Sequence, residues 1–415
     1  MSLPVDAALL VPREDPSPSR APQVPADELA SPAADPPHLR ILGTHGVPAA
    51  YGGFETAAEN IALHLVARGW RVTVYCQLRG RGAWIEDSWR GIARIGIPVE
   101  REGWHGTTMF DWLSIRHACR QPDLCLTFGY NTAIFNLAQR LRGIPNVINM
   151  DGMEWSRKRW GWAKQAILYA NERIGCRIGQ ALIADHPVIA EYLETRAEPR
   201  RIRTIAYGAD AVEQADPGPV HTLGLAPGSY LTLVARLIPE NQVLELVRTF
   251  SQRPRGVRLV VVGGFEPADD PYHCDLAAAA ADEVLFTGPI YDRERIAPLR
   301  FHGLGYLHGH TVGGTNPSLV EAMAAGNPVI AHDNVYNRWV AGDAALYFRD
   351  PASLSASLDR LISDGALRER LGSAARRRHA EHFTWEHIAD QYDTLLREHL
   401  PAPKHAAALT RTGAA

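Results

Sequence analysis

Paired cysteines are what this sequence lacks first. Cys76, Cys119, Cys125, Cys176 and Cys274 are scattered, odd in number and without CxxC spacing. That pattern excludes a disulfide frame or a zinc ribbon and reads as reduced thiols in a cytoplasmic protein. Long apolar runs are missing too. Nothing approaches the roughly 20 apolar residues of a spanning helix, so a membrane role is expected to be peripheral. "VDAALLV" near the N-terminus is too short for a signal peptide and follows no Lys or Arg. Excess charge of one sign is absent: 43 Lys+Arg against 46 Asp+Glu leave a net charge of -3. This argues against a nucleic-acid partner contacted along the whole chain. No GxGxxG follows the first strand of either half and no Asp-x-Asp occurs, which speaks against a nicotinamide dehydrogenase and for a metal-independent site without a cofactor.

What is present is an alternation of strands and helices. At 415 residues the chain exceeds the size at which one core stops growing. Residues 1–37 are rich in Pro, Ala, Asp and Ser, and 401–415 are similar; both read as disordered tails. "LRILGT", a glycine loop, apolar residues at helical spacing from Phe54 to Leu65, and "GWRVTVYC" make a βαβ unit. Further strands are expected at "DLCLTF", "PNVINM" and "QALIAD". A polar, Pro/Gly-rich stretch from Ala209 to Ser229 marks a junction, after which "YLTLVAR" opens a second alternating series. The expected fold is α/β: two tandem Rossmann-like, doubly wound domains facing a cleft. Their bounds are 38–212, with a C-terminal helix near 385–400 packing back on it, and 213–384. Ligands of open parallel sheets bind beyond the carboxyl ends of the strands.

One stretch at such a strand end is chemically suggestive: "HGHTVGGTNPSLVEAMAAGNPVIAHDN", from His308 to Asn334. Asn316 is a strong N-cap and precedes Pro317, the favoured first helical residue. The amides from Gly314 to Ser318, Thr315 among them, together with the helix dipole, make an anion site. Gly313 and Gly314 permit close backbone approach, and Glu321 can hydrogen-bond a ribose through its two oxygens. A capped core helix with an exposed glutamate would give the same stretch. Arg236, after the first strand of the second half, suits a diphosphate, although a surface Arg at a strand end reads alike. In "HGVPAAYGGFE", Gly52 and Gly53 offer a backbone approach from the opposite wall, or an ordinary βα connection.

Together these segments resemble the retaining glycosyltransferases of the GT-B fold, the group 1 or family 4 class, over about residues 39–400. "GVPAAYGGFET", "DGMEWSRKRW" and "HGHTVGGTNPSLVEAMAAG" look most like the bacterial rhamnosyltransferase-type subgroup of capsule and exopolysaccharide clusters. The resemblance implies a nucleotide-sugar donor, such as dTDP-L-rhamnose, and a saccharide or polyprenyl-linked acceptor. It carries the ribose role to Glu321 and the phosphate role to Arg236. The chain departs from the family at three places. Gly313 stands where the family has the first of two glutamates, Asn241 where it has a phosphate-binding lysine, and Asp151 where it often has a histidine. On the acceptor side, Asp151 is the expected polar or basic group and Glu154 the second, although Asp151 can equally cap a helix after the strand. His310, with His308, is expected to touch donor sugar or phosphate. His-Gly-His is also a fragment of metal sites, but no third ligand stands nearby. The segment from Arg157 to Gly179 mixes Arg, Lys and Trp with an apolar stripe and suits the cytoplasmic face of an inner membrane, or packing on its own sheet. Two alternatives stand beside the transferase: a nucleotide-sugar isomerase on the same fold, and a non-catalytic polysaccharide-assembly scaffold.

Overall fold

The computed structural model describes residues 35–49, 52–101, 103–157 and 160–401. The two expected tails fall almost entirely outside the described residues.

The first sheet contains β1 (His38–Leu42), β2 (Arg71–Arg79), β3 (Ile85–Trp89), β4 (Ile92–Val99), β5 (Leu124–Phe128), β6 (Asn146–Asn149), β7 (Ala181–Ala184) and β8 (Ile202–Thr204), in the order β3-β4-β2-β1-β5-β6-β7-β8. All its pairings are parallel except that of β3 with β4. The second contains β9 (Tyr230–Val234), β10 (Arg258–Val262), β11 (Val284–Gly288), β12 (Gly305–His308), β13 (Val329–His332) and β14 (Ala345–Phe348). Its order is β11-β10-β9-β12-β13-β14 and every pairing is parallel. Both sheets are doubly wound, as the alternation predicts. Central strands such as β5 (LCLTF) are buried along their whole length, because helices cover both faces.

The antiparallel β3–β4 pair was not among the expected strands. In β3, four of five residues are exposed, so it is an edge strand held by its backbone ladder rather than by an apolar pattern.

Each sheet reverses direction once. Strand order switches between β1 and β5 in the first and between β9 and β12 in the second. These crevices are where an open α/β sheet accepts ligands. The chain leaves the first sheet after β8 and returns at Ala209–Thr384, where the Ala209 amide donates to the Phe383 carbonyl at 2.8 Å. The last helix, Trp385–Glu398, buries Trp385, Ile388, Tyr392 and Leu396 in the same cluster as Leu39, Ile41 and Leu126 of the first sheet.

Candidate functional site in the cleft between the sheets

The carboxyl ends of β9 and β12 carry Arg236 and the His308–Thr315 loop to the second sheet's switch point. Arg236 is exposed there. The helix after the loop spans Pro317–Ala324, and the Asn316 side chain accepts from the Ser318 amide at 3.1 Å. Ser318 Oγ is fixed as well, accepting from the Tyr306 hydroxyl at 2.9 Å. Gly313 sits at φ +131 with open space where a Cβ would point, so the backbone itself is one that few other residues adopt.

The first domain closes on this loop. A Cβ added to Gly53 would lie 3.2 Å from the Pro317 ring. Gly52, the N-cap of the helix Gly53–Ala67, backs onto Glu55. Beyond β7, Asp185 accepts from the Thr315 amide at 3.1 Å, and the Thr315 hydroxyl donates to the Asp185 carbonyl. A Cβ on Gly314 would fall 1.9 Å from Asp185 Oδ1. A side chain at Gly314 would have to displace the Asp185 carboxylate where the two walls touch. A carboxylate already sits on an amide of the loop expected to take an anion.

Asp185 Oδ1 is buried without a partner. Burial, and then the charge of Asp151, push its carboxyl up to about 7. The folded protein thus keeps a proton that the unfolded chain, near 4, releases. Stability then falls as pH rises from about 4 to about 7, and the cost is complete above that. Asp185→Asn should remove this slope. The variant is expected to melt several degrees above the parent at pH 8 and nearly with it at pH 4, a difference on the order of 1–3 kcal/mol once solvent access to the cleft is allowed for. Parallel melting curves from pH 4 to 8 would contradict it.

The other expected residues separate into those that reach the cleft and those that are spent elsewhere. Asp151 comes after β6 in a left-handed conformation, φ +52, with its amide donating to Asn149 Oδ1 at 3.0 Å. Burial and the charge of Glu154 raise its carboxyl, and Arg157 and Arg236 oppose them in part. No regular α-helix starts there for it to cap; a short 3-10 turn begins at Glu154 with Met153 as its cap. Glu154, expected beside Asp151 at the acceptor, is buried instead. It pairs with Arg157 at 2.5 Å and accepts from the Trp160 indole at 2.9 Å. Arg157 also reaches Glu240 across the cleft at 3.3 Å. Asn241 is buried, and its amide donates to the Arg236 carbonyl at 2.8 Å. It shapes the turn that carries Arg236 rather than facing a ligand. Glu321 was expected to offer two oxygens, but its Oε2 lies 2.5 Å from Arg300. His308 is buried, while His310 is half-buried and stacks on it with centroids 4.3 Å apart. Burial, then Arg236 and Arg157, push the His310 imidazole down to about 3, so it stays neutral. Among the described residues no group of three or more His, Cys, Asp or Glu side chains is placed to hold a metal.

The sequence reading missed Asp185, Arg300 and the His45–Glu55 pair. His45 Nδ1 lies 2.9 Å from Glu55 Oε1 at the first sheet's switch point. Asp185 ends "QALIAD" and was findable by the strand-end rule that singled out Asp151. Nothing in the sequence marks Arg300.

A family model described as a glycosyl transferase 4-like domain matches residues 52–208, and one described as glycosyl transferase-like matches 245–394. The chain belongs to the group 1 glycosyltransferases of the GT-B fold. As such it is an enzyme that moves a sugar from a nucleotide-sugar. The glycosyltransferase is 26% identical over 316 residues to an alpha-maltose-1-phosphate synthase of Mycobacterium tuberculosis, covering 65% of this chain and 77% of the relative. It is 32% identical over 201 residues to a D-inositol 3-phosphate glycosyltransferase of Stackebrandtia nassauensis, covering 45% and 42%. Its fold resembles that of sucrose-phosphate synthase from Thermosynechococcus elongatus, with a TM-score of 0.73 at 20% identity over 87% of this chain and 98% of that one. It also resembles Anabaena HepE in complex with UDP and glucose, with a TM-score of 0.68 at 17% identity over 87% and 99%. Among the described residues of the glycosyltransferase, no helix is long and apolar enough to cross a membrane.

Proposed function

We propose that this glycosyltransferase moves a deoxyhexose of the L-rhamnose class from a nucleoside-diphosphate donor, dTDP foremost, to a saccharide hydroxyl during cell-surface polysaccharide assembly. In this reading residues 213–384 hold the donor and 38–212 the acceptor. One observation carries it: Arg236 and the Asn316-capped helix flank one switch point, with Gly53 of the first domain against Pro317 and Asp151 near enough to feel the charge of Arg236. Arg236 and the glycine loop take the diphosphate, and Asp185 gives way to it at the Thr315 amide. Glu321 takes the ribose. The anomeric C–O bond breaks and the leaving diphosphate oxygen keeps the electron pair, stabilised by Arg236 and the loop amides. The acceptor oxygen bonds the anomeric carbon and passes its proton to Asp151, whose raised carboxyl is suited to receive it. Neutral His310 lines the sugar without competing for the diphosphate. The resemblance to the rhamnosyltransferase-type subgroup supports the sugar. The names of the two relatives favour, as a second reading, a phosphorylated acceptor.

The test is acceptor-dependent release of nucleoside diphosphate, with neutral oligosaccharides and sugar phosphates supplied in turn. Release only with acceptor is expected; donor conversion without any acceptor would point to an isomerase.

We also propose that the acceptor is lipid-linked and met at an anionic membrane. The helix Trp162–Ile178 leaves Trp162 83% and Ile167 44% exposed, and Trp104 and Trp112 of the helix Gly103–Ala118 are exposed as well. Lys164 lies 3.3 Å from the Trp160 ring centre and 5.9 Å from that of Trp104. Aromatic and basic groups together suit a headgroup layer. Arg157 is spent on Glu154 and Glu240, and Lys158 and Arg159 lie outside the described residues. The triple change Trp104→Ser, Trp112→Ser and Trp162→Ser should therefore reduce flotation with anionic liposomes several-fold, whereas undiminished flotation would refute this surface.

A further inference from the structure

We infer that Asp151 and Asp185 form a carboxyl pair that shares one proton, and that the donor's diphosphate binds tightly only while that proton stays on Asp185. The inference rests on the proposed donor site at the Thr315 amide. Strands β6 and β7 run parallel with Asn149 opposite Ile183, and the Met150 amide donates to the Ile183 carbonyl at 2.8 Å. Asp151 and Asp185 each stand two residues beyond that last pair, so they leave strands that lie about 4.8 Å apart.

Two carboxyl groups on one site resist ionising together, and their surroundings decide which keeps the proton. Arg157 and Arg236 offset the burial of Asp151. Only backbone amides, that of Thr315 first, offset the burial of Asp185. Asp185 Oδ1 is buried without a hydrogen-bond partner. An ionised oxygen there would lack both water and a donor, so the proton belongs on Asp185. Its Oδ2 meanwhile accepts from the Thr315 amide at 3.1 Å. The other titratable groups around Asp185 are uncharged near neutral pH. Burial raises the hydroxyls of Tyr336 and Tyr392, and it pushes the adjacent His186 imidazole down to about 4. A neutral carboxyl yields the Thr315 amide to a diphosphate. An ionised one holds the amide roughly twice as strongly and repels the diphosphate. Donor affinity therefore falls as pH rises through about 7, where Asp185 loses its proton.

Calorimetric titration of the full chain with dTDP, UDP, GDP and ADP tests this, with the parent and Asp185→Asn compared at pH 6 and pH 8.5. The asparagine keeps the shape of the protonated carboxyl and cannot ionise. Comparing two proteins at one pH also cancels the titration of the nucleotide's own phosphate. For the tightest-binding diphosphate the two should agree within about threefold at pH 6. At pH 8.5 the parent should bind about tenfold more weakly or worse, as loss of a required proton more than one unit below the working pH demands. Infrared difference spectra read the proton itself. The parent should lose a carboxylic-acid carbonyl band near pH 7 that Asp185→Asn never shows. Asp151→Asn should move that loss down by about one unit or more. A parent as tight as Asp185→Asn at pH 8.5 would overturn the inference while leaving the donor site in place. No acid band lost near pH 7, or one unmoved in Asp151→Asn, would overturn the pair. No binding of any diphosphate at either pH would remove the donor reading and the inference with it.

Discussion

Arg236→Ala is expected to lower kcat/KM about 10²–10³-fold, the usual worth of one group aimed at charge that develops in the transition state. The melting temperature should stay within about a degree, because an exposed side chain at a strand end contributes little to packing. Its backbone is held independently: Asn241 fixes the Arg236 carbonyl, so the turn survives the truncation. Arg236→Lys should restore only part of the rate, since a point charge cannot hold two diphosphate oxygens as a planar fork does. Steady-state kinetics alongside thermal melts check this. A full-rate alanine variant would move the diphosphate away from β9.

Gly309→Ala should be as damaging by a different route. Gly309 is buried between the two stacked histidines, and its Cβ would fall 2.3 Å from the Asn241 carbonyl oxygen and 2.9 Å from a Leu246 methyl. Both neighbours are fixed, one as backbone and the other as core, so the loop has to move. Overpacking of this kind costs about 1–3 kcal/mol. Asn241 ties that backbone to Arg236, so the shift reaches both halves of the donor wall. Misplacement by about 1 Å costs on the order of 100-fold in rate, and kcat/KM is expected to fall at least that far in protein that still folds. A variant that melts lower but turns over normally would show that the His308–Thr315 loop does not position the donor.

The glycine between the histidines illustrates what the sequence disclosed and what it withheld. Periodicity and strand ends exposed both sheets, the Asn316 cap and the placement of Arg236, because these arise from local chemistry. The β3–β4 pair was hidden because an edge strand needs no apolar pattern. The long-range pairings were hidden as well. Arg300 at Glu321, Asp185 at Thr315 and Arg157 at Glu240 join residues tens of positions or more apart, and no local pattern encodes them. They also redirect the site: Glu154 and Asn241 looked available as residue types, yet each is spent on holding a neighbour.

Binding of a nucleoside diphosphate at the Asn316-capped helix is the central claim, and ligand-dependent thermal unfolding tests it most directly. The parent and Glu321→Ala would be melted with dTDP, UDP, GDP and ADP, each at about 100 times a plausible dissociation constant, where binding adds about 2.7 kcal/mol. One diphosphate should raise the melting temperature of the parent by several degrees, and the shift should shrink or vanish in Glu321→Ala. An equal shift in both proteins, or none with any diphosphate, would mean that this helix is a capped core element and that the nucleotide does not bind here.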